Sequence, residues 1–130
     1  MQGIIKTIIS CIATFFIYVL GGWDIALQSL LIFIVLDYLT GIGKSYVTKK
    51  LNSNRGFKGI VKKLCMLCMV AIATMVDKIA GDTGLIRTLV IYYLFANEGL
   101  SIIENLGEMN IIVPKFLKDK LEQLRDKESK

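Results

Sequence analysis

Residues 43–63 read GKSYVTKKLNSNRGFKGIVKK, with Lys44, Lys49, Lys50, Arg55, Lys58, Lys62 and Lys63 and no acid among them. Before this stretch runs a nearly uninterrupted apolar segment from Ile4 to Ile42, and after it a second one beginning at Ile60. Lysine and arginine resist transfer across a bilayer, so a basic connection between two lipid-spanning segments stays on the cytoplasmic side. The stretch therefore fixes both fold class and orientation: an all-α integral membrane protein whose basic loop, 43–59, faces the cell interior.

Composition agrees. Of 130 residues, 54% are hydrophobic and mean hydropathy is +0.57, more apolar surface than one soluble core of this size can hide. Apolar residues also come in blocks long enough to cross lipid. The start of the chain is read as a retained helix, because Tyr18 and Leu20 precede Gly21-Gly22-Trp23-Asp24 where a signal peptide would carry small residues at a cleavage site. The net charge of +5 has a topological explanation. All of the 16 Lys and Arg except Lys78 and Arg87 fall in segments assigned to the cytoplasm, facing anionic headgroups and no nucleic acid.

Four spans are expected, at about 4–20, 25–42, 60–79 and 85–103, forming helical hairpins. Gly21, Gly22 and Asp24 make the first turn tight, so that spans one and two form an antiparallel hairpin, and Trp23 suits the membrane interface. Ala80 to Gly84 make the second turn. Pro114 opens a charged C-terminal tail, 114–130, with Leu117, Leu121 and Leu124 at helical spacing. That tail is expected as a cytoplasmic helix on the membrane surface or against a copy of itself. An even number of spans puts both termini beside the basic loop. A three-span version, with the first or fourth segment on the surface, is the alternative.

Polar residues distinguish the spans. In the second, large apolar residues at roughly −0.3 to −0.6 kcal/mol each outweigh Asp37 at up to about 3 kcal/mol. The fourth must absorb Arg87, Asn97 and Glu98, which brings its sum near zero and makes it dependent on partner helices. Asn97, Ser101, Glu104 and Asn105 follow helical spacing along one side, with Glu98 adjoining. On the second helix a stripe runs from Ser29 through Phe33, Asp37, Thr40 and Gly41 to Lys44. Thr7, Ser10, Cys11 and Thr14 give the first helix a narrow face suited to close packing. The stripe of Asp37, Thr40, Asn97, Glu98, Ser101, Glu104 and Asn105 either lines a pore or glues helices together; the residues alone leave both roles open.

Chemistry of other kinds finds little support. Without histidine there is no imidazole base, and no phosphate loop, serine elbow or metal cluster stands out, so an enzyme, a metal and a cofactor are not expected. Cys65-Met66-Leu67-Cys68 has zinc or redox spacing, but it lacks the remaining ligands and sits in an apolar segment.

In order along the chain, several stretches resemble the toxin-secretion and phage-lysis holin family of Gram-positive bacteria and their prophages. They are Gly21-Gly22-Trp23-Asp24, Asp37-Tyr38-Leu39-Thr40-Gly41, Lys50-Leu51-Asn52-Ser53, and Gly56-Phe57-Lys58-Gly59-Ile60 with Lys62-Lys63. Asp77, Asn97-Glu98-Gly99-Leu100-Ser101-Ile102 with Glu104-Asn105, and Pro114 with Leu117 complete the set. The resemblance covers about Gly21 to Leu124 and rests on the ordered combination. It implies a protein of the bacterial cytoplasmic membrane that accumulates in many copies, then assembles into lesions that release an endolysin or a large toxin without needing to touch it. A small ion channel or multidrug-type transporter subunit, with Asp37 or Glu98 as the ion site, and a non-pore-forming antiholin are the other readings left open.

Overall fold

The computed structural model describes residues 1–128 and is helical throughout its regular elements: α1 (Gln2–Val19), α2 (Ile25–Val47), α3 (Ser53–Ile79), α4 (Leu85–Glu108) and α5 (Lys115–Glu128). Ser129 and Lys130, the end of the expected tail, lie outside the described residues. The first four helices are long and apolar enough to cross a membrane. At 1.5 Å per residue α1 is about 27 Å long and α3 about 40 Å, against roughly 30 Å of hydrocarbon.

Each break between helices has a local cause. Gly21 and Gly22 take φ of 88° and 123°, which side chains with a Cβ resist, and Asp24 then caps α2 by accepting from the Leu27 amide at 3.0 Å. Asn52 caps α3 through the Asn54 amide. Gly84 starts α4 without a side-chain cap of its own. Asp77, in the last turn of α3, supplies the missing acceptor: its two carboxylate oxygens take the Ile86 and Arg87 amides at 3.0 and 2.7 Å. After Asn110, at φ 63°, the chain runs without regular structure to Pro114.

The basic segment differs from the expected loop. Helix α2 continues to Val47 and α3 begins at Ser53, so only residues 48–52 are connection. Lys44 sits on α2, while Arg55, Lys58, Lys62 and Lys63 sit on α3; Lys49 and Lys50 alone are in the link. Lysine and arginine are good helix formers, no proline interrupts residues 53–59, and the Asn52 cap starts the helix despite Gly56 and Gly59. The helices outrun the apolar runs.

Helix α4 is the hub. Both α2 and α3 pack mainly on it and touch each other little. Leu27, Leu30, Val70, Ile91 and Leu94 form the core between them. Phe33 and Phe95 stack beside it at 4.1 Å. The tight turn joins α1 to α2 as expected, but the two helices do not pack: among the described residues α1 has no buried residue and meets α3 alone. Its foot is held there by the Lys78 ammonium, 3.4 Å from the Tyr18 ring centroid. A turn of Gly21 and Gly22 reverses the chain without imposing contact beyond it.

Candidate functional site

Two ionic clusters mark the ends of the bundle. At the basic end Lys63, on α3, donates to the carboxylates of Asp37 on α2 and Glu98 on α4. Asp37 and Glu98 are buried. A lysine between two acids offsets the cost of burying each, and the ammonium's three donors suit two carboxylates. Asn105 completes the arrangement. Its amide donates to Asp37 Oδ1 at 3.0 Å and to Thr40 Oγ1 at 3.0 Å, and the Thr40 hydroxyl donates in turn to the Leu36 carbonyl. Three helices are thereby tied at one depth.

At the other end Arg87, 7% exposed, reaches from α4 to the turn between α1 and α2. It donates to the Leu20 carbonyl at 2.6 Å, to the Gly22 carbonyl at 3.2 Å, and to both oxygens of Asp24 at 2.7 and 3.1 Å. The Arg87 side chain leaves no room for a side chain at Gly21: a Cβ there would lie 2.4 Å from Nε, the atom that donates to the Leu20 carbonyl. Hydrogen bonding from Arg87 holds the Asp24 carboxyl below the ordinary range, against a smaller opposing effect of burial.

The expected polar stripe is divided. Asp37, Thr40, Glu98 and Asn105 come together with Lys63. Asn97 and Glu104 are exposed on a different face of α4, and Ser101 is half-buried between the two groups. Positions 98 and 105 are two turns apart, as are 97 and 104, and the two pairs are rotated by about 100° around the axis. Among the described residues, Asn97, Ser101 and Glu104 make no side-chain hydrogen bond within the chain. Sequence reading assigned Lys63 to topology and set Arg87 aside. The usable signal was that a cation inside an apolar helix needs a partner acid.

Helix α5 folds back along α4, where the tail was expected on the membrane surface or against another copy. Leu121 is buried over Gly99, with Phe33 alongside. Its outer side shows Lys118, Asp119, Lys120 and Gln123 exposed. No group of three or more His, Cys, Asp or Glu placed to hold a metal occurs among the described residues.

Comparison with known proteins adds a family. A family model described as the bacteriophage holin family matches residues 14–126. An uncharacterized 14.9 kDa protein from the nagH 3′ region of Clostridium perfringens is 42% identical over 131 residues, covering 98% of this chain and 99% of that one. A probable holin of Bacillus phage phi105 is 32% identical over 95 residues, covering 73% of this chain and 70% of the phage protein. No solved structure matches the chain.

Proposed function

This chain belongs to the bacteriophage holin family, and from that membership we propose that it assembles in the bacterial cytoplasmic membrane, in many copies, into lesions that let an endolysin escape and lyse the cell. The basic segment and both termini face the cytoplasm in this reading, following the distribution of Lys and Arg.

One observation carries the assembly step. Asn97, Ser101 and Glu104 lie on a lipid-crossing helix, and among the described residues their side chains have no hydrogen-bond partner. A polar group left unsatisfied in hydrocarbon costs several kcal/mol, so such a face calls for water or another protein surface. Helix α1 adds a second unpartnered surface, with Thr7, Ser10, Cys11 and Thr14 exposed. The interior of one copy is filled by its apolar core and the Lys63 cluster, so a passage for a folded enzyme lies between copies.

A small channel or transporter would use Asp37 or Glu98 as its ion site, and Lys63 already occupies both. The test is inducible expression in a bacterium carrying a signal-less endolysin, with membrane potential and enzyme release followed together. Abrupt, simultaneous collapse and release is the expected result. Potential loss without enzyme release identifies a small channel. Intact potential, with delayed lysis by a co-expressed holin, identifies an antiholin.

A further inference from the structure

Between α2 and α3, at the basic end of the bundle, lies a cleft of about 290 Å³, on the order of ten times the volume of one water molecule. It exists because α2 and α3 pack on α4 and hardly on each other, and because Gly41, Gly56 and Gly59 put no side chains into the gap. The Tyr38 ring lies across the two α3 glycines, where a Cβ on Gly56 would be 3.4 Å from its hydroxyl.

Charge in the cleft is one-sided. Lys44, Arg55, Lys62 and Lys63 line it, and among the described residues Asp37 is the one acid. Asp37 is already held by Lys63 and Asn105, and Lys44 is 3.7 Å from Glu108. Among the described residues, no acid lies within ion-pairing distance of Arg55 or Lys62. The N-terminus of α3 adds its own positive end at the same place. Ile42 and Leu51 supply apolar wall beside these cations. A cavity with cations and an apolar flank, where two spans leave the hydrocarbon, matches a molecule that is a phosphate anion at one end and hydrocarbon at the other.

We propose that this cleft binds the phosphate headgroup of an anionic membrane phospholipid, with Arg55 and Lys62 as the cations that hold it. The site goes beyond the lesion-forming reading and needs only that the chain be inserted in a membrane, so its failure would leave that reading untouched. A lipid lodged between α2 and α3 would wedge together two helices that otherwise touch little, chiefly through Lys63–Asp37 and the Tyr38 ring.

The test is native mass spectrometry of the purified full-length protein in detergent, titrated with phosphatidylglycerol, phosphatidylcholine or inorganic phosphate. Phosphatidylglycerol should stay bound in preference to phosphatidylcholine. The double variant R55Q/K62Q should bind it roughly thirtyfold more weakly, while K115Q/K118Q, with the same charge removed from α5, should bind it as the parent does. Both cations of the cleft pair are exposed, so the variant retains its helices, which circular dichroism verifies. Equal retention of the two lipids, or undiminished phosphatidylglycerol on R55Q/K62Q, would overturn the site. Displacement of bound lipid by an equal concentration of inorganic phosphate would overturn the lipid as its occupant.

Discussion

Leu121 of α5 rests where Gly99 of α4 has no side chain: a Cβ on Gly99 would lie 2.8 Å from Leu121 Cδ1. Gly99 is in the middle of a lipid-crossing helix, so the contact brings a charged helix alongside the span. Lipid cannot satisfy the outer side of α5, with Lys118, Asp119 and Lys120 exposed. Where α5 stays docked, that side calls for water or another protein surface.

Gly99→Ala should therefore loosen α5. Overpacking of this kind costs about 1–3 kcal/mol, which corresponds to amide exchange in α5 faster by roughly fivefold to 150-fold. Adding Leu121→Ala in the same chain should restore part of the protection, with Phe33, 3.0 Å from the added Cβ, accounting for the remainder. Hydrogen exchange of the detergent-solubilised protein measures both.

Removing Lys63 should harm the fold more than removing the whole ionic cluster. Lys63→Met leaves Asp37 and Glu98 buried with no cation between them, a loss of about 3–5 kcal/mol. The triple variant K63M/D37N/E98Q, which leaves no uncompensated charge, should lose clearly less. Thermal unfolding in detergent compares them.

Acid should weaken the clamp on the α1–α2 turn. Arg87 lowers the Asp24 carboxyl below its ordinary value of 3.8. A depressed acid contributes its stability in full above the unfolded value and loses it as pH falls through the folded one. The stability gap between parent and Asp24→Asn should thus be constant near neutrality and close below about pH 4. The gap is small, because the Asp24 side chain is about half exposed and screened by solvent.

Asn97 and Glu104 should matter between chains and little within one. The variant N97L/E104L should insert and unfold as the parent does, since among the described residues neither side chain has a partner in its own copy. Cysteine cross-linking between copies and endolysin release should both fall by tenfold or more, the factor that about 1.4 kcal/mol of lost assembly energy gives.

What could be read from the sequence was set by what is local. Apolar length and the run of cations announced four helices, and Gly21-Gly22 with Asp24 announced the first turn, because backbone freedom and capping depend on neighbours in the chain. Partnerships across the bundle were not legible. Helical spacing grouped Asn97 with Asn105, yet the α2–α4 contact passes between them and, of the polar stripe on α4, buries Glu98 and Asn105 and leaves Asn97 and Glu104 exposed. Lys63 resembled its basic neighbours, and only the packing of α3 on α4 sets it between two acids. The docking of α5 depends on one missing side chain at Gly99, a feature that no periodicity reveals.

Every functional statement depends on which side of the membrane the basic link occupies. With Cys11, Cys65 and Cys68 replaced by serine, single cysteines at Lys49 and Thr83 can be probed with a membrane-impermeant maleimide in intact cells before lysis. Thr83→Cys, in the turn between α3 and α4, should label at once, and Lys49→Cys only after the membrane is permeabilised. Labelling of Lys49→Cys on intact cells would contradict the arrangement and the lysis reading built on it.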